Sequence, residues 1–384
     1  MEWKEVRLGD ILNFRRGHDL PHSAMKPGNI PVAGSNGVIG YHDTATPIKP
    51  ILTIGRSGNV GKPYFYEEAW AHNTTLYVDD FKGNDPKFLY YLCQTMPFAN
   101  FGGGSAVPTL NRNHIHPLET KIPVKVEDQR RIASILSSLD RKIELNNKIN
   151  ADLDEMAQTI FKNWFVDFEP FKDGKFVNSE LGMIPEGWKV VTLDDLTSKF
   201  GTGLNPRKNF VLGHGNNYYV TIKNMGNNRI YLNDRCDKVD DEALVKINKR
   251  SKLQKGDLLF SGIGTIGKVA MVVDDPVNWN TSESVFNMHP IDTVSSEFIY
   301  LLLLSDKFQQ YVQQNAQGGV QQGIRMASLK AFQLAMPDDL NLFDNLVKPI
   351  IGKIKNNDKE NDTLSLLRDT LLPRLMSGEI EVPV

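Results

Sequence analysis

The sequence predicts an α+β protein in which two tandem-duplicated mixed α/β domains are joined by two long helices forming an antiparallel coiled coil with pseudo-two-fold symmetry. Three observations predict it. Motifs of the first half return in the same order in the second half. A window from Val126 to Phe165 holds neither Pro nor Gly and carries a regular apolar seam. Outside such windows, short apolar runs alternate with Gly, Pro and Asn clusters, the pattern of short strands and turns.

The duplication is read from matched segments, since internal repeats decide the architecture. Trp3-Lys4-Glu5-Val6-Arg7-Leu8-Gly9-Asp10 returns as Trp188-Lys189-Val190-Val191-Thr192-Leu193-Asp194-Asp195. Gly58-Asn59-Val60-Gly61-Lys62 returns as Gly264-Thr265-Ile266-Gly267-Lys268, and Asn73-Thr74 is matched to Asn280-Thr281. Phe88 to Leu92 matches Phe298 to Leu302, and Ile122-Pro123 matches Met336-Pro337. The offset grows from 185 at Trp3 to 214 at Pro123, so copy two carries about 29 extra residues, mostly between Leu204 and Ser251. The boundaries that follow are a first head over 1–125, a helix over 126–170, a second head over 171–338 and a second helix over 339–384.

Within each head, Val6-Leu8-Ile11 and Val191-Leu193-Leu196 open with short alternating stretches. Ile51 to Ile54 and Leu258 to Phe260 read as buried strands, each running through a Gly-rich turn into a second strand. Phe88 to Thr95 and Phe298 to Gln313 have helical spacing.

The helices carry a seam spaced alternately by four and three: Ile132, Leu136, Leu139, Ile143, Asn146, Asn150, Leu153, Ala157, Ile160 and Trp164. Adding 211 gives Phe343, Val347, Ile350, Ile354, Asn357, Asn361, Leu364, Arg368, Leu371 and Leu375. Arg368 is the one misfit, expected beside the seam with Leu367 packed in its place. A buried asparagine needs an amide partner and thereby fixes register. Antiparallel pairing supplies one, with Asn146 facing Asn361 and Asn150 facing Asn357. A helix from Glu127 to Phe165 would span ~58 Å, a spacer between two heads.

Composition narrows the function. The 384 residues carry 44 Lys+Arg against 46 Asp+Glu, and 40% are hydrophobic, ordinary values for a globular chain of two or three domains. Two cysteines cannot build a disulfide framework, the stretch from Met1 to Val6 has no signal-peptide pattern, and the longest apolar run, Tyr300 to Leu304, is far short of a membrane span. A cytoplasmic protein is expected.

The catalytic signals fail. Gly262-Ile263-Gly264-Thr265-Ile266-Gly267-Lys268 nearly satisfies the phosphate-loop pattern, but Val269 stands where Ser or Thr must follow. A strand rather than a helix is expected after it, so the loop lacks the helix N-terminus that binds phosphate. The glycines are read as turn residues with Lys62 and Lys268 projecting. His114-Ile115-His116 has Ser328 and Lys330 opposite in copy two and no carboxylate set, so no metal site is expected. No nucleophile or zinc-hydrolase spacing appears, nor the Asn/Asp-Pro-Pro-Tyr/Phe motif of amino-methyltransferases.

What remains is a two-headed binder. Basic and amide side chains, the types that read base edges and phosphates, recur in the loops of both heads. Candidate DNA contacts in head one are Arg15, Arg16, Arg56, Lys62, Arg112 and Asn113. In head two they are Arg207, Lys208, Lys223, Lys268 and Arg325, flanked by the basic run from Lys246 to Lys255 and by Gln321-Gln322.

The layout resembles the specificity subunit of type I restriction-modification systems, over the whole chain. The residues that carry the resemblance are Pro185-Glu186-Gly187-Trp188-Lys189 opening a domain, Lys255-Gly256-Asp257-Leu258-Leu259 before the Gly-rich turn, and Ile122-Pro123 before Glu127 to Ile132. The ending Leu372-Pro373-Arg374-Leu375-Met376-Ser377-Gly378-Glu379-Ile380 belongs with them. Copy one departs with Lys49-Pro50-Ile51 where Gly-Asp is usual, and copy two lacks the Glu-Gln pair near Asn341. The resemblance implies two target-recognition domains on spacer helices, each reading one half of an asymmetric bipartite site in double-stranded DNA. It implies a coil that sets the unread spacer and docks two methyltransferase subunits, with motor-nuclease subunits joining them. The chain itself would be non-catalytic and hold no cofactor; S-adenosylmethionine, ATP and Mg2+ would belong to the partners. The rival reading is a non-catalytic adaptor whose two heads bind proteins.

Overall fold

The computed structural model describes residues 1–103, 108–319 and 322–382. It divides into two compact units, Met1–Asn146 with Lys359–Val384, and Asn147–Asp358. The division falls inside both long helices, Val126–Phe165 and Asn341–Met376, so each unit holds one head and an arm of each helix.

In the first unit, strand Trp3–Arg7 pairs antiparallel with Glu119–Pro123. A four-stranded sheet runs in the order Asn13–Arg16, Thr75–Asp80, Ile51–Gly55, Pro63–Tyr66, and a three-stranded sheet in the order Gly37–His42, Ile30–Gly34, Trp70–Ala71, its last two strands parallel. The second unit repeats this plan. Lys189–Thr192 pairs with Gln333–Met336; the four-stranded order is Thr197–Thr202, Val285–Pro290, Leu258–Ser261, Val269–Met271; the three-stranded order is Asp237–Val239, Asn217–Val220, Trp279–Thr281, again with the last two parallel. Order and sense agree strand for strand, so the duplication is one of topology.

Ile51–Gly55 and Leu258–Ser261 are buried along their whole length, as central strands covered on both faces must be. Against the first packs helix Pro86–Thr95, opened by Asp85, whose carboxylate accepts from the Phe88 N–H at 2.8 Å. The single helix expected over Phe298–Gln313 is two, Ser296–Leu304 and Asp306–Asn315. Ser305 divides them: its hydroxyl donates to the Leu302 carbonyl at 2.7 Å and accepts from Phe308 N–H at 3.4 Å, ending one helix and capping the next. The extra residues of copy two build helix Asp241–Ser251, whose Ala243 and Ile247 close a small core on Tyr219 and Val239.

The Gly-rich segments are hairpin turns, linking Ile51–Gly55 to Pro63–Tyr66 and Leu258–Ser261 to Val269–Met271. Gly61 (φ +81°) and Gly267 (φ +97°) take the left-handed conformation the turn requires. Strands follow both turns, so neither loop runs into a helix.

Within the first unit the long helices run antiparallel. Asp140 accepts from Arg368 Nη1 at 2.8 Å, and Asn146 Nδ2 donates to Asn361 Oδ1 at 2.9 Å and to Glu360 Oε2 at 2.8 Å. Arg368 therefore reaches across the pair, and Leu367, expected to pack in its place, is 44% exposed; a bidentate-capable guanidinium finds a better partner in Asp140 than Leu367 finds in the seam. In the second unit, Asn357 Nδ2 donates to Asn150 Oδ1 at 2.7 Å, Asn150 Nδ2 donates to Asp358 Oδ1 at 3.1 Å, and Phe165 and Phe343 stand 4.9 Å apart, again antiparallel. All four asparagines are at most 8% exposed. Replacing Asn146 by Leu strips Asn361 of that donor and Lys142 of its acceptor, an expected loss of ~1–3 kcal/mol. The double variant Asn146→Leu/Asn361→Leu should recover part of it; strictly additive losses in urea titrations would refute the pairing.

The seam drifts at the far end of the first helix. Ile160 and Trp164, expected in it, are only partly buried, whereas Phe161 and Phe165 are 2% and 4% exposed. An α-helix gains about 20° on a seven-residue repeat with each heptad, and the aromatic core of head two takes up the turned face.

Asp154, on the same arm, has its carboxyl pushed up to about 6, first by burial and then by the neighbouring Asp358. The unfolded value is ~3.9, so the native state holds this proton more tightly. Its stabilising contribution is full below about pH 4 and lost as pH rises through about 6. Asp154→Asn should therefore melt above the parent at pH 7 and with it at pH 4; equal differences at both pH values would exclude the effect.

Candidate nucleic-acid interface

In head one the candidate residues gather where loops leave the four-stranded sheet. Arg15 and Arg16 end the edge strand, both exposed, on opposite faces; Arg15 Nη1 meets Asp79 at 3.3 Å and Arg16 Nη2 meets Asp19 at 3.4 Å. Asp19 also accepts from Asn73 Nδ2. Arg56 Nη1 donates to the Asn73 carbonyl at 3.3 Å, and the Arg56 carbonyl accepts from Leu110 N–H at 2.8 Å. Arg112, two residues on, donates to the Phe14 carbonyl at 3.2 Å, beside Arg15. Arg16, Arg56 and Arg112 thus lie along one bonded rim through Asp19, Asn73, Leu110 and Phe14. Lys62 is exposed on the hairpin turn, its ammonium 5.3 Å from the Tyr64 ring centre. Asn113 is exposed within the short helix Arg112–Ile115, which Asn111 caps.

His116 Nε2 accepts from the Phe14 N–H at 3.1 Å, and burial holds its pKa below the usual histidine value. Among the described residues no group of three or more His, Cys, Asp or Glu side chains is arranged to hold a metal ion.

Head two uses the same frame with other residues. Gly262 stands where head one has Arg56: Gly262 N–H donates to Ser284 O as Arg56 N–H does to Thr74 O, and Ile324 N–H donates to Gly262 O as Leu110 N–H does to Arg56 O. Arg325 is exposed just beyond that contact, at the start of helix Met326–Lys330. Gln321 lies outside the described residues. Arg207 and Lys208 are exposed on the turn after Pro206, and Lys223 is exposed on the short helical turn Ile222–Asn224. Lys268 does not project from its turn. Its ammonium donates to the carbonyls of Ile222 at 3.0 Å and Met225 at 2.6 Å, clamping the segment that carries Lys223. Two main-chain acceptors in a half-buried site hold a cation more firmly than water does on an open turn.

The backbone bonds also correct one match between the copies. His72 O accepts from Thr75 N–H as Ser282 O does from Val285 N–H, and Arg56 and Gly262 bond to Thr74 O and Ser284 O. Asn73-Thr74 therefore corresponds to Glu283-Ser284, three residues beyond Asn280-Thr281. Asn280 is instead a fully buried strand residue whose amide donates to Asn248 and to the Ser251 carbonyl.

Glu283 thus occupies the place of Asn73. Its Oε1 accepts from Asn205 Nδ2 at 2.6 Å, and its Oε2 lies 3.2 Å from the Tyr219 hydroxyl, whose one hydrogen is shared with the Leu204 carbonyl at 2.8 Å. On the segment that carries Asn205, Thr202 Oγ1 accepts from Arg250 Nη2 at 3.3 Å and the Asn209 carbonyl from Lys246 Nζ at 3.3 Å. Asp19 and Glu283 are neither cations nor amides, and Asn73 and Asn205 lie outside the basic clusters, so residue type alone does not single them out. Their signal is positional and emerges only from equivalence of the two sheets.

Comparison with known proteins agrees with the duplication. The family described as type I restriction modification DNA specificity domain matches residues 1–155 and 185–342. Over 310 residues the chain is 30% identical to the type I restriction enzyme MjaIX specificity subunit of Methanocaldococcus jannaschii, covering 77% of this chain and 69% of that protein. It is 26% identical to the type I restriction enzyme HindI specificity subunit of Haemophilus influenzae, covering 98% and 94%. Among solved structures, the type I restriction-modification S subunit from M. genitalium shares the fold, with a TM-score of 0.61 at 15% identity over 98% of this chain and 96% of that one.

Proposed function

The chain belongs to the type I restriction modification DNA specificity family, and on that premise we propose that it is the sequence-specific DNA-binding subunit of a type I restriction-modification complex. Each head reads one half of an asymmetric bipartite site. The observation that carries this reading is the pair of equivalent turns: one frame, repeated strand for strand, presents Arg56 and Asn73 in one head and Gly262 and Glu283 in the other. Like frames with unlike side chains read unlike half-sites.

The long helices form a pseudo-two-fold antiparallel coiled coil that sets the unread gap and docks two methyltransferase subunits, to which motor-nuclease subunits add. Supporting this, Leu145, Leu366 and Met156 stand 52%, 70% and 52% exposed on the helices, and Leu342 73%; apolar side chains so placed suit a partner's surface. The chain is the non-catalytic member, and S-adenosylmethionine, ATP and Mg2+ are held by its partners. Among the described residues no helix is long and apolar enough to cross a membrane, in keeping with work on DNA in the cytoplasm.

Modified-base sequencing of the source genome with the gene intact and deleted tests the proposal. The expected result is adenine methylation at one gapped two-part motif that disappears with the gene. A gapped motif that persists after deletion would count against it.

A further inference from the structure

Asn73 and Glu283 stand at the same turn of the two heads, each half-buried and each held by neighbouring side chains. In head one, Asn73 Nδ2 gives one hydrogen to Asp19, and Arg56 ties down the Asn73 carbonyl at 3.3 Å. The amide keeps its oxygen and one N–H, which together match the N6 and N7 edge of adenine. In head two, Asn205 holds one oxygen of Glu283, and the Tyr219 hydroxyl, which also reaches the Leu204 carbonyl at 2.8 Å, stands 3.2 Å from the other. Asn205 does so at a cost, because its own Oδ1 is buried without a hydrogen-bond partner among the described residues. A buried polar atom left unpaired calls for a reason, and holding a carboxylate at a chosen point supplies one. A carboxylate near phosphates is unfavourable unless cations surround it and a base donor meets it. Lys246 and Arg250 stand on neighbouring residues of this loop system, with Arg207 and Lys208 exposed on it.

We infer that this turn is the base-selecting position of both heads, with Asn73 taking an adenine edge in one half-site and Glu283 accepting from an exocyclic amino group, cytosine N4 or adenine N6, in the other. The inference rests on the DNA-reading function proposed above. Asn205 and Tyr219 are positioning residues for Glu283, and the absence of a guanidinium at Gly262 leaves the carboxylate as the reading group of that turn.

The test is selection of a randomised duplex DNA pool on the purified full-length chain, comparing parent, Glu283→Gln, Asn73→Asp and Tyr219→Phe, with thermal melts as the fold control. The expected parent result is one gapped motif with cytosine or adenine at the position Glu283 reads; which of the two appears names the donor. Glu283→Gln should weaken the preference at that single base pair roughly ten- to hundredfold while leaving the other half-site intact. Asn73→Asp should do the same in the opposite half, and Tyr219→Phe should blur the Glu283 position without abolishing the half-site. A parent motif that Glu283→Gln and Asn73→Asp both leave unchanged overturns this inference alone. Loss of both half-sites in a folded Glu283→Gln protein overturns it too. No enriched motif for the parent overturns the DNA-reading function and this inference together.

Discussion

Phe343→Ala should lower the stability of the second unit by ~3–5 kcal/mol, a large part of the 5–15 kcal/mol typical of a whole domain. Phe343 is fully buried at the start of the second long helix and meets four rings: Phe165 at 4.9 Å, Trp164 at 5.7 Å, Phe298 at 5.9 Å and Phe161 at 6.1 Å, three of them edge-to-face. Burying a phenylalanine is worth ~1.5–3 kcal/mol in transfer from water. Edge-to-face pairs add ~0.5–1.5 kcal/mol each beyond their area, and a cavity among rigid rings closes poorly. The site joins three elements, the end of the first helix, the start of the second and helix Ser296–Leu304, so the loss falls on the attachment of head two to its arms. Denaturant titration of Phe343→Ala and Phe343→Leu checks it. A midpoint for the alanine variant close to that of the leucine variant would show that the rings repack and that the junction is not the keystone argued here.

Phe343 also marks where the sequence is legible and where it is not. Its place in the seam follows by adding 211 to Ile132, and the helix span from Val126 to Phe165 follows from the absence of Pro and Gly alone. Both are local, periodic signals. The asparagine layers are legible for a related reason, since a buried amide has few partners that satisfy it. The errors lie where tertiary contacts override period or letter. Phe161 and Phe165 displace Ile160 and Trp164 because head two supplies an aromatic core on that side. Ser305 breaks a helix that spacing alone would continue. Asn280-Thr281 imitates Asn73-Thr74 in letters, yet main-chain bonds set Glu283-Ser284 in that place, and a three-residue slip is invisible without them. For the interface, exposure of Arg15, Arg16 and Arg112 accords with loop position, while the inward turn of Lys268 depends on carbonyls of Ile222 and Met225, distant in sequence.

Asp257→Ala should cost ~3–5 kcal/mol, by leaving charge in a desolvated place. Asp257 is fully buried at the start of strand Leu258–Ser261. One oxygen lies 2.8 Å from His289 Nδ1; the other accepts from the Gln254 N–H at 3.0 Å and from Lys199 Nζ at 3.4 Å. His289 belongs to the neighbouring strand Val285–Pro290 and Lys199 to the edge strand Thr197–Thr202 beyond it, so one carboxylate fastens three strands of the sheet at the end away from the base-selecting turn. Head one answers the same need with the charges rearranged. By strand register Ile51 takes the place of Asp257 and Asp79 that of His289, and Asn13 precedes Phe14 as Lys199 precedes Phe200. There Asn13 Nδ2 donates to Asp79 at 2.6 Å, and Ile51 is fully buried. The departure of copy one at Lys49-Pro50-Ile51 is thus a second solution to one packing problem. The triple change Asp257→Ile/His289→Asp/Lys199→Asn, which installs the head-one set apart from the Arg15 that also pairs with Asp79, should regain part of what Asp257→Ala loses, because an apolar residue with a hydrogen-bonded polar pair beside it replaces a buried ion cluster at little net cost. Chemical denaturation of the three proteins decides it: a triple variant no more stable than Asp257→Ala would mean that the two sheets, alike in order and sense, differ in packing at this end.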